Sequence, residues 1–189
     1  MVGWERALEV FSAGAEGRVR WMLVGSAATR LQGVAVDPGD VDVLIHPATE
    51  CSSPSDVAGS FATYAAADPV SQDPADFQST ADQPLVATAD GTWLFGRWRV
   101  DGGTLEVARI RADLGPTAVI ETMGSAVWDA CRTVAWQGHE IPVVPLEVQL
   151  ATILSRGLDE RARAVRARLD DGGLDEALLA RAMADRGVS

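Results

Sequence analysis

The segment from Trp21 to Ile45 constrains the fold of this chain more than any other stretch. It begins with a short apolar run, Trp21–Val24, that is typical of a buried strand. Gly25-Ser26 ends the run, and Ser26 is a favoured N-cap residue for a short following helix. After a Pro-Gly turn, the alternating β-branched residues of Asp40–Ile45 predict a second strand. The segment therefore predicts a strand, a helix and a second strand.

The predicted second strand begins with two carboxylates, Asp40 and Asp42. Because side chains two positions apart share one face of a strand, these two point the same way, roughly 6 to 7 Å apart at the backbone. Two such carboxylates repel each other unless a cation lies between them, and oxygen ligands of this kind suit Mg²⁺. Gly25-Ser26, at a predicted helix start, offers N–H groups and a hydroxyl to an anion. Together these features suit phosphoryl or nucleotidyl transfer.

Gly25-Ser26 followed by Asp40-x-Asp42 resembles the signature of the polymerase-beta-like nucleotidyltransferase superfamily. The resemblance is to the small members related to antibiotic- and toxin-type nucleotidyltransferases. It implies that Gly25 and Ser26 hold a triphosphate and that the aspartates bind Mg²⁺. It also implies that a third acid, from a later strand, completes the site. Such sites hold two metal ions about 3.5 to 4 Å apart.

A predicted β-hairpin over Thr92–Ile110 supplies the candidate for that third acid. Its turn signal is Asp101-Gly102-Gly103, flanked by aromatic and β-branched runs. Glu106 is an acid on a mostly apolar face of the second strand, so we expect it to be the third metal ligand. Family members often carry aspartate here. Asp101 is the fallback, although turn chemistry already explains an aspartate at that position.

The cation that would neutralise a bound triphosphate is left open by the sequence. The family's closing helices commonly carry a lysine and a lysine-aspartate pair, where this chain has Arg156, Asp159, Glu160 and Arg161. Arginines on these helices are ordinarily a solvated surface. Arg30, on the first short helix, is a candidate phosphate contact, with a solvated position as its ordinary alternative. We expect Gly25, Ser26 and Arg30 to bind nucleotide.

Charge and cysteine content narrow the classes of partner. The 27 acidic and 16 basic residues give a net charge of −11, and every basic residue is arginine. An acidic protein does not attract polyanions, which disfavours nucleic acid as a partner. Cys51 and Cys131 are isolated, which predicts neither a zinc site nor a disulfide framework. Without a bilayer-length apolar run or a signal-peptide pattern, we expect a cytoplasmic protein with no membrane partner.

The remaining elements follow from hydrophobic spacing. Apolar residues at helical spacing predict a helix over 2–16, and a strand follows over Arg18–Val24. Further on, the patterns predict these elements in chain order: a helix over Asp56–Ala67, a loop over Asp68–Pro84, a helical or irregular stretch over Ala112–Ala126, a hairpin over Arg132–Val144, and helices after Pro145. We expect a nucleotidyltransferase core over residues 1–145 and a C-terminal helical segment over 146–189, packed as one unit.

These expectations combine into one hypothesis with stated alternatives. The fold is α/β, a small mixed sheet with flanking helices and a C-terminal helical segment. The function is Mg²⁺-dependent transfer of a nucleoside monophosphate, with ATP the favoured donor, to a hydroxyl of a small molecule. Asp40, Asp42 and Glu106 are its catalytic metal ligands. The alternatives are a toxin-type enzyme acting on tRNA or a partner protein, a decayed nucleotide-binding module, and a plain interaction domain. His46, directly after the second strand, is a further residue that could reach the site.

Overall fold

The computed structural model describes residues 3–49, 68–71, 93–110, 115–122 and 124–188. Within these ranges one sheet has seven strands: β1 Trp21–Val24, β2 Val41–Ile45, β3 Asp68–Ser71, β4 Trp93–Val100, β5 Gly103–Ile110, β6 Arg132–Trp136 and β7 His139–Val143. Six helices accompany it: α1 Gly3–Ala15, α2 Gly25–Leu31, α3 Val127–Ala130, α4 Leu146–Ser155, α5 Asp159–Gly172 and α6 Glu176–Asp185. The predicted α/β class is confirmed.

The sheet is mixed, and β2 is its central strand. The strand order is β3-β4-β5-β2-β1-β7-β6. β2 runs parallel to β5 and antiparallel to β1, while β1 runs parallel to β7. Four of the five β2 residues are buried, as expected for a strand covered on both faces, and Asp42 is the half-buried exception. A carboxylate in the central strand of the sheet therefore needs an explanation from its surroundings.

Helix α1 positions the hairpin that carries Glu106. Its predicted apolar stripe is buried, and Phe11 packs edge-on against Trp21 with ring centroids 4.9 Å apart. The start of α1 lies directly on the hairpin turn. A Cβ on Gly103 would lie 2.0 Å from the carbonyl oxygen of Gly3, so only glycine permits this backbone contact. The contact holds the first residue of β5 against the helix.

Several element boundaries differ from the sequence prediction. Ser26 is not the N-cap of α2: the helix begins at Gly25, and Val24 is the N-cap, with no side-chain capping bond. β1 begins at Trp21 instead of Arg18. The predicted loop over Asp68–Pro84 contains the strand β3, because pairing with β4 stabilises an edge strand that local propensity does not favour. The rest of that loop and the predicted helix over Asp56–Ala67 lie outside the described residues.

The last three helices pack on one another and on the end of α2. They share a second apolar cluster, formed by Val34, Leu146, Leu150, Ile153, Ala162, Val165 and Leu169. The fully buried carboxylate of Glu147 accepts a hydrogen bond from Arg132 at 2.9 Å and another from the backbone N–H of Asp175 at 3.1 Å. These bonds connect α4 to β6 and to the start of α6. The division of the chain at residue 145 stays a prediction. None of the helices in the described ranges is long and apolar enough to cross a membrane.

Candidate active site

The candidate site is a row of side chains across neighbouring strands. Asp42 on β2 lies directly opposite Glu106 on β5, and Glu106 lies directly opposite Arg97 on β4. Because residues directly opposite each other on paired strands project from the same face, the three side chains share one face of the sheet. On the other side of Asp42, its partner on β1 is Val24, the residue before Gly25. The sheet thereby brings β4, β5, β2 and the β1–α2 junction to one place.

Three carboxylates meet at this row. Asp40 lies in the bend just before β2, and one oxygen from each of Asp40, Asp42 and Glu106 lies within 4.8 Å of the other two. Glu106 is only 2% exposed, and the two aspartates are half-buried. The structure thus brings together the three acids that the sequence singles out. Their proposed role as metal ligands stays a prediction.

Electrostatics at the cluster favour a cation. Burial raises the pKa of Asp42 well above its usual value, and the charges of Asp40, Glu106 and Glu121 raise it further. Burial also raises the pKa of Asp40, and Arg97 and Arg161 oppose that shift. Acids that share a site without a cation behave in this way. The donor set consists of carboxylate oxygens, the ligands that Mg²⁺ prefers, so these residues fit the ion.

Gly25 lies against the Asp42 carboxylate. Its φ of +68° is in the left-handed region, and a Cβ built there would lie 2.2 Å from Asp42 Oδ2. A side chain at this position would therefore collide with a carboxylate of the cluster, and the backbone of residue 25 can approach it only as glycine. Ser26 follows in the first turn of α2 and is buried. The structure thus places Gly25 against Asp42, with Ser26 next to it in the chain.

Arg30, the candidate phosphate contact, is not among the arginines whose charges act on the acids. Arg30 is exposed in the last turn of α2, about 7 to 8 Å along the helix axis from Gly25. The positive charges that act on the aspartates belong to Arg97, Arg156 and Arg161. Arg156 and Arg161 come from the junction of α4 and α5, whose arginines the sequence favoured as solvated surface.

Arg97 is the residue that sequence reasoning overlooked. Its Nε donates a hydrogen bond to Glu106 Oε1 at 2.5 Å, and its guanidinium lies 5.7 Å from the centroid of the Phe95 ring. A usable signal was present, because a tight turn fixes hairpin register. Val100 and Gly103 face each other at the turn. Moving away from the turn by the same number of residues on each strand, back from Val100 and forward from Gly103, pairs Arg97 with Glu106.

A buried polar chain lies behind the cluster. Gln149 donates a very short hydrogen bond to Glu121, whose other oxygen lies 3.8 Å from Arg186 after α6. The hydroxyl of Thr29 lies 3.4 Å from the Gln149 side-chain oxygen and donates to the carbonyl of Gly25 at 2.9 Å. This series of polar contacts connects the end of α6 to the Gly25 backbone. It had no sequence signal, because its members come from four distant segments.

His46 and two of the tryptophans pack against other parts of the fold. His46 follows β2 at the end opposite Asp42, about 13 Å along the strand, and its ring packs against Trp128 at 4.9 Å. Burial lowers the pKa of His46, with Arg20 adding to that shift. Trp98 is buried, and Trp136 stacks on Trp4 with centroids 6.3 Å apart. Both tryptophans therefore belong to the packing of the fold.

Comparison with known proteins shows the fold of this chain. No protein-family model matches the sequence, and no curated protein matches it. A solved structure from Thermotoga maritima, described as a candidate nucleotidyltransferase, matches with a TM-score of 0.51 and 18% identity. The match covers 90% of this chain and 96% of that one. The architecture is therefore similar to that of the Thermotoga maritima protein over most of both chains.

Proposed function

We propose that this protein is a Mg²⁺-dependent nucleotidyltransferase of the polymerase-beta-like superfamily. It transfers a nucleoside monophosphate from a nucleoside triphosphate, with ATP the favoured donor, to a hydroxyl group. The observation that carries the proposal is the cluster of Asp40, Asp42 and Glu106 against the backbone of Gly25. The motif resemblance and the likeness in fold to the Thermotoga maritima protein support it.

In this proposal the three carboxylates hold the metal. Asp40, Asp42 and Glu106 are hard oxygen donors whose mutual repulsion a divalent cation relieves, and two Mg²⁺ ions are expected. When bound, the ions supply charge neutralisation for the phosphates and make the acceptor hydroxyl more acidic. The burial of Glu106 keeps its carboxylate in one orientation beside Asp42. The protein thus provides a preformed set of ligands.

The other residues orient the triphosphate. The N–H groups of Gly25 and Ser26 and the Ser26 hydroxyl would bind the β- and γ-phosphates. Arg156 and Arg161, whose charges already act on the aspartates, would supply the positive charge that lysines supply in the family. The acceptor oxygen attacks the α-phosphorus, the bond to the β-phosphate oxygen breaks, pyrophosphate leaves, and the acceptor proton passes to solvent. Positioning and charge neutralisation provide the catalysis, without a protein nucleophile.

A small hydroxyl compound is the favoured acceptor, because a net charge of −11 opposes the binding of polyanions. A toxin-type acceptor such as tRNA is the second candidate, and the arginine-rich helix α5 favours it. Arg161 of this helix acts on Asp40, while Arg163 and Arg166 are exposed. Binding of tRNA that weakens in the double variant Arg163→Gln/Arg166→Gln would support the second candidate. No binding of tRNA by the wild type would support the first candidate, and unchanged binding in the double variant would exclude Arg163 and Arg166 as tRNA contacts.

Calorimetric titration with ATP, GTP, CTP and UTP, each with and without Mg²⁺, tests the proposal. We expect binding that requires Mg²⁺ and that Asp42→Asn abolishes. Asp37→Asn is the matched control, because Asp37 is an exposed acid five residues earlier in the chain. Binding of no triphosphate, or equal binding by both variants, would contradict the proposed site. Binding without turnover of any acceptor would indicate the decayed nucleotide-binding module.

A further inference from the structure

The three-carboxylate cluster already has a cationic neighbour of its own, Arg97. Its Nε lies 2.5 Å from Glu106 Oε1, and the Glu106 side chain is almost completely buried. The two residues are direct cross-strand partners, so the contact follows from the hairpin register. Arg97 is about one-quarter exposed, with its guanidinium near the Phe95 ring. Its contact with Glu106 therefore occupies an oxygen of one of the three proposed metal ligands.

The influence of Arg97 extends beyond this single pair. Its charge also lowers the pKa of Asp40, opposing the effect of burial, so it acts on two of the three acids. Arg99, two residues further along β4, is exposed and lies opposite Thr104 in the hairpin. One strand thus carries two arginines, of which one pairs with a cluster acid and the other projects into solvent.

We propose that Arg97 is a positioning residue that serves as the internal counter-ion of the cluster and competes with the metal for Glu106. This inference rests on the proposed function, because it assumes that the three acids bind a divalent cation. Without metal, the guanidinium neutralises the buried Glu106 and holds it beside Asp42. When metal binds, Glu106 exchanges its ion pair with Arg97 for a metal-oxygen bond. Arg97 therefore sets a lower metal affinity than the carboxylates alone would have.

Titration of metal alone into Arg97→Gln, with Arg99→Gln as the matched control, tests the inference. Calorimetry with Mn²⁺ or Mg²⁺ should give a Kd about three- to tenfold lower for Arg97→Gln, as expected from removing one partly screened charge several ångströms from the ion. Arg99→Gln and the charge-retaining Arg97→Lys should bind metal within about twofold of the wild type, since both leave a cation beside Glu106.

Thermal unfolding separates this role from ordinary structural support. Without metal, Arg97→Gln should have a lower Tm than wild type, because the buried Glu106 loses its charged partner. Saturating metal should raise the Tm of Arg97→Gln by more than it raises that of the wild type. A purely structural ion pair would lower both Tm values equally and leave the metal Kd unchanged.

The two proposals fail in different ways. If wild type binds metal and Arg97→Gln binds it with equal or lower affinity, the counter-ion role is wrong while the metal site stands. If Arg97→Gln folds only with metal present, Arg97→Lys provides the test: a metal Kd several-fold below that of wild type would contradict charge competition. If wild type binds no metal, the proposed function fails, and the counter-ion inference fails with it.

Discussion

Alanine in place of Gly25 would bring a methyl group against the carboxylate of Asp42. The added Cβ would lie 2.2 Å from Asp42 Oδ2, well inside van der Waals contact, so the carboxylate or the β1–α2 junction must move. The φ of +68° is also unfavourable for alanine. The substitution therefore combines a backbone penalty with displacement of one carboxylate of the cluster.

A second glycine separates these two effects. Gly17 has a φ of +67°, and a Cβ there would meet nothing within 4 Å. Gly17→Ala should therefore lower the free energy of unfolding by about 1 to 2 kcal/mol from the backbone alone. Gly25→Ala should lose about 1 to 3 kcal/mol more, the usual range for overpacking. For a chain of this size each 1 kcal/mol corresponds to a Tm change of about 2 to 4 °C.

Urea unfolding without metal, followed by calorimetric titration with Mg²⁺, measures both effects. Gly25→Ala should bind Mg²⁺ at least about tenfold more weakly than wild type, a loss of about 1.4 kcal/mol, because Asp42 is displaced. Gly17→Ala should bind it like wild type. The reasoning is refuted if the two variants are equally destabilised, or if Gly25→Ala keeps wild-type affinity for the ion.

Two further predictions follow from buried charges. The folded pKa of Asp42 is raised, so above pH 3.8 the folded state binds more protons than the unfolded state, and metal-free stability falls as pH rises. The free energy of unfolding of Asp42→Asn, measured in urea titrations, should therefore increase relative to that of wild type as pH rises above about 4, and a constant difference would contradict this. Arg132→Gln should lower the free energy of unfolding by about 1 to 3 kcal/mol, because the fully buried Glu147 loses its charged partner. The loss is smaller than that for breaking a fully buried ion pair, since Arg132 is partly exposed. If Arg132→Gln loses no more unfolding free energy than Arg163→Gln, a substitution at an exposed arginine, this prediction is wrong.

The positions of the three acids could be predicted because short-range rules determine them. The two-residue spacing predicts that Asp40 and Asp42 point the same way, although Asp40 lies in the bend just before β2, and the hairpin signal predicts Glu106 in a strand among apolar residues. The side-by-side pairing of β2 with β5 is a long-range step that was not predicted, since the family resemblance implied only an acid from a later strand. The register of the same hairpin, set by its turn, also predicts that Arg97 pairs with Glu106.

The remaining features depend on tertiary structure that local patterns do not encode. Arg156 and Arg161 resemble surface residues in sequence, and only the packing of α4 and α5 brings their charges to the aspartates. Ser26 fits the N-cap preference, yet α2 begins at Gly25 with Val24 as its N-cap, two residues earlier than that preference predicts. β3 exists as an edge strand because β4 offers it a hydrogen-bonding partner.

The central claim is that Asp40, Asp42 and Glu106 bind a divalent metal, and anomalous diffraction tests it most directly. Crystals soaked in Mn²⁺ with a non-hydrolysable ATP analogue would be measured above the manganese absorption edge. We predict at least one anomalous peak within about 2.6 Å of oxygens from all three carboxylates, with the triphosphate beside Gly25 and Ser26. A cluster without a peak, while manganese and nucleotide bind elsewhere in the crystal, would contradict the account.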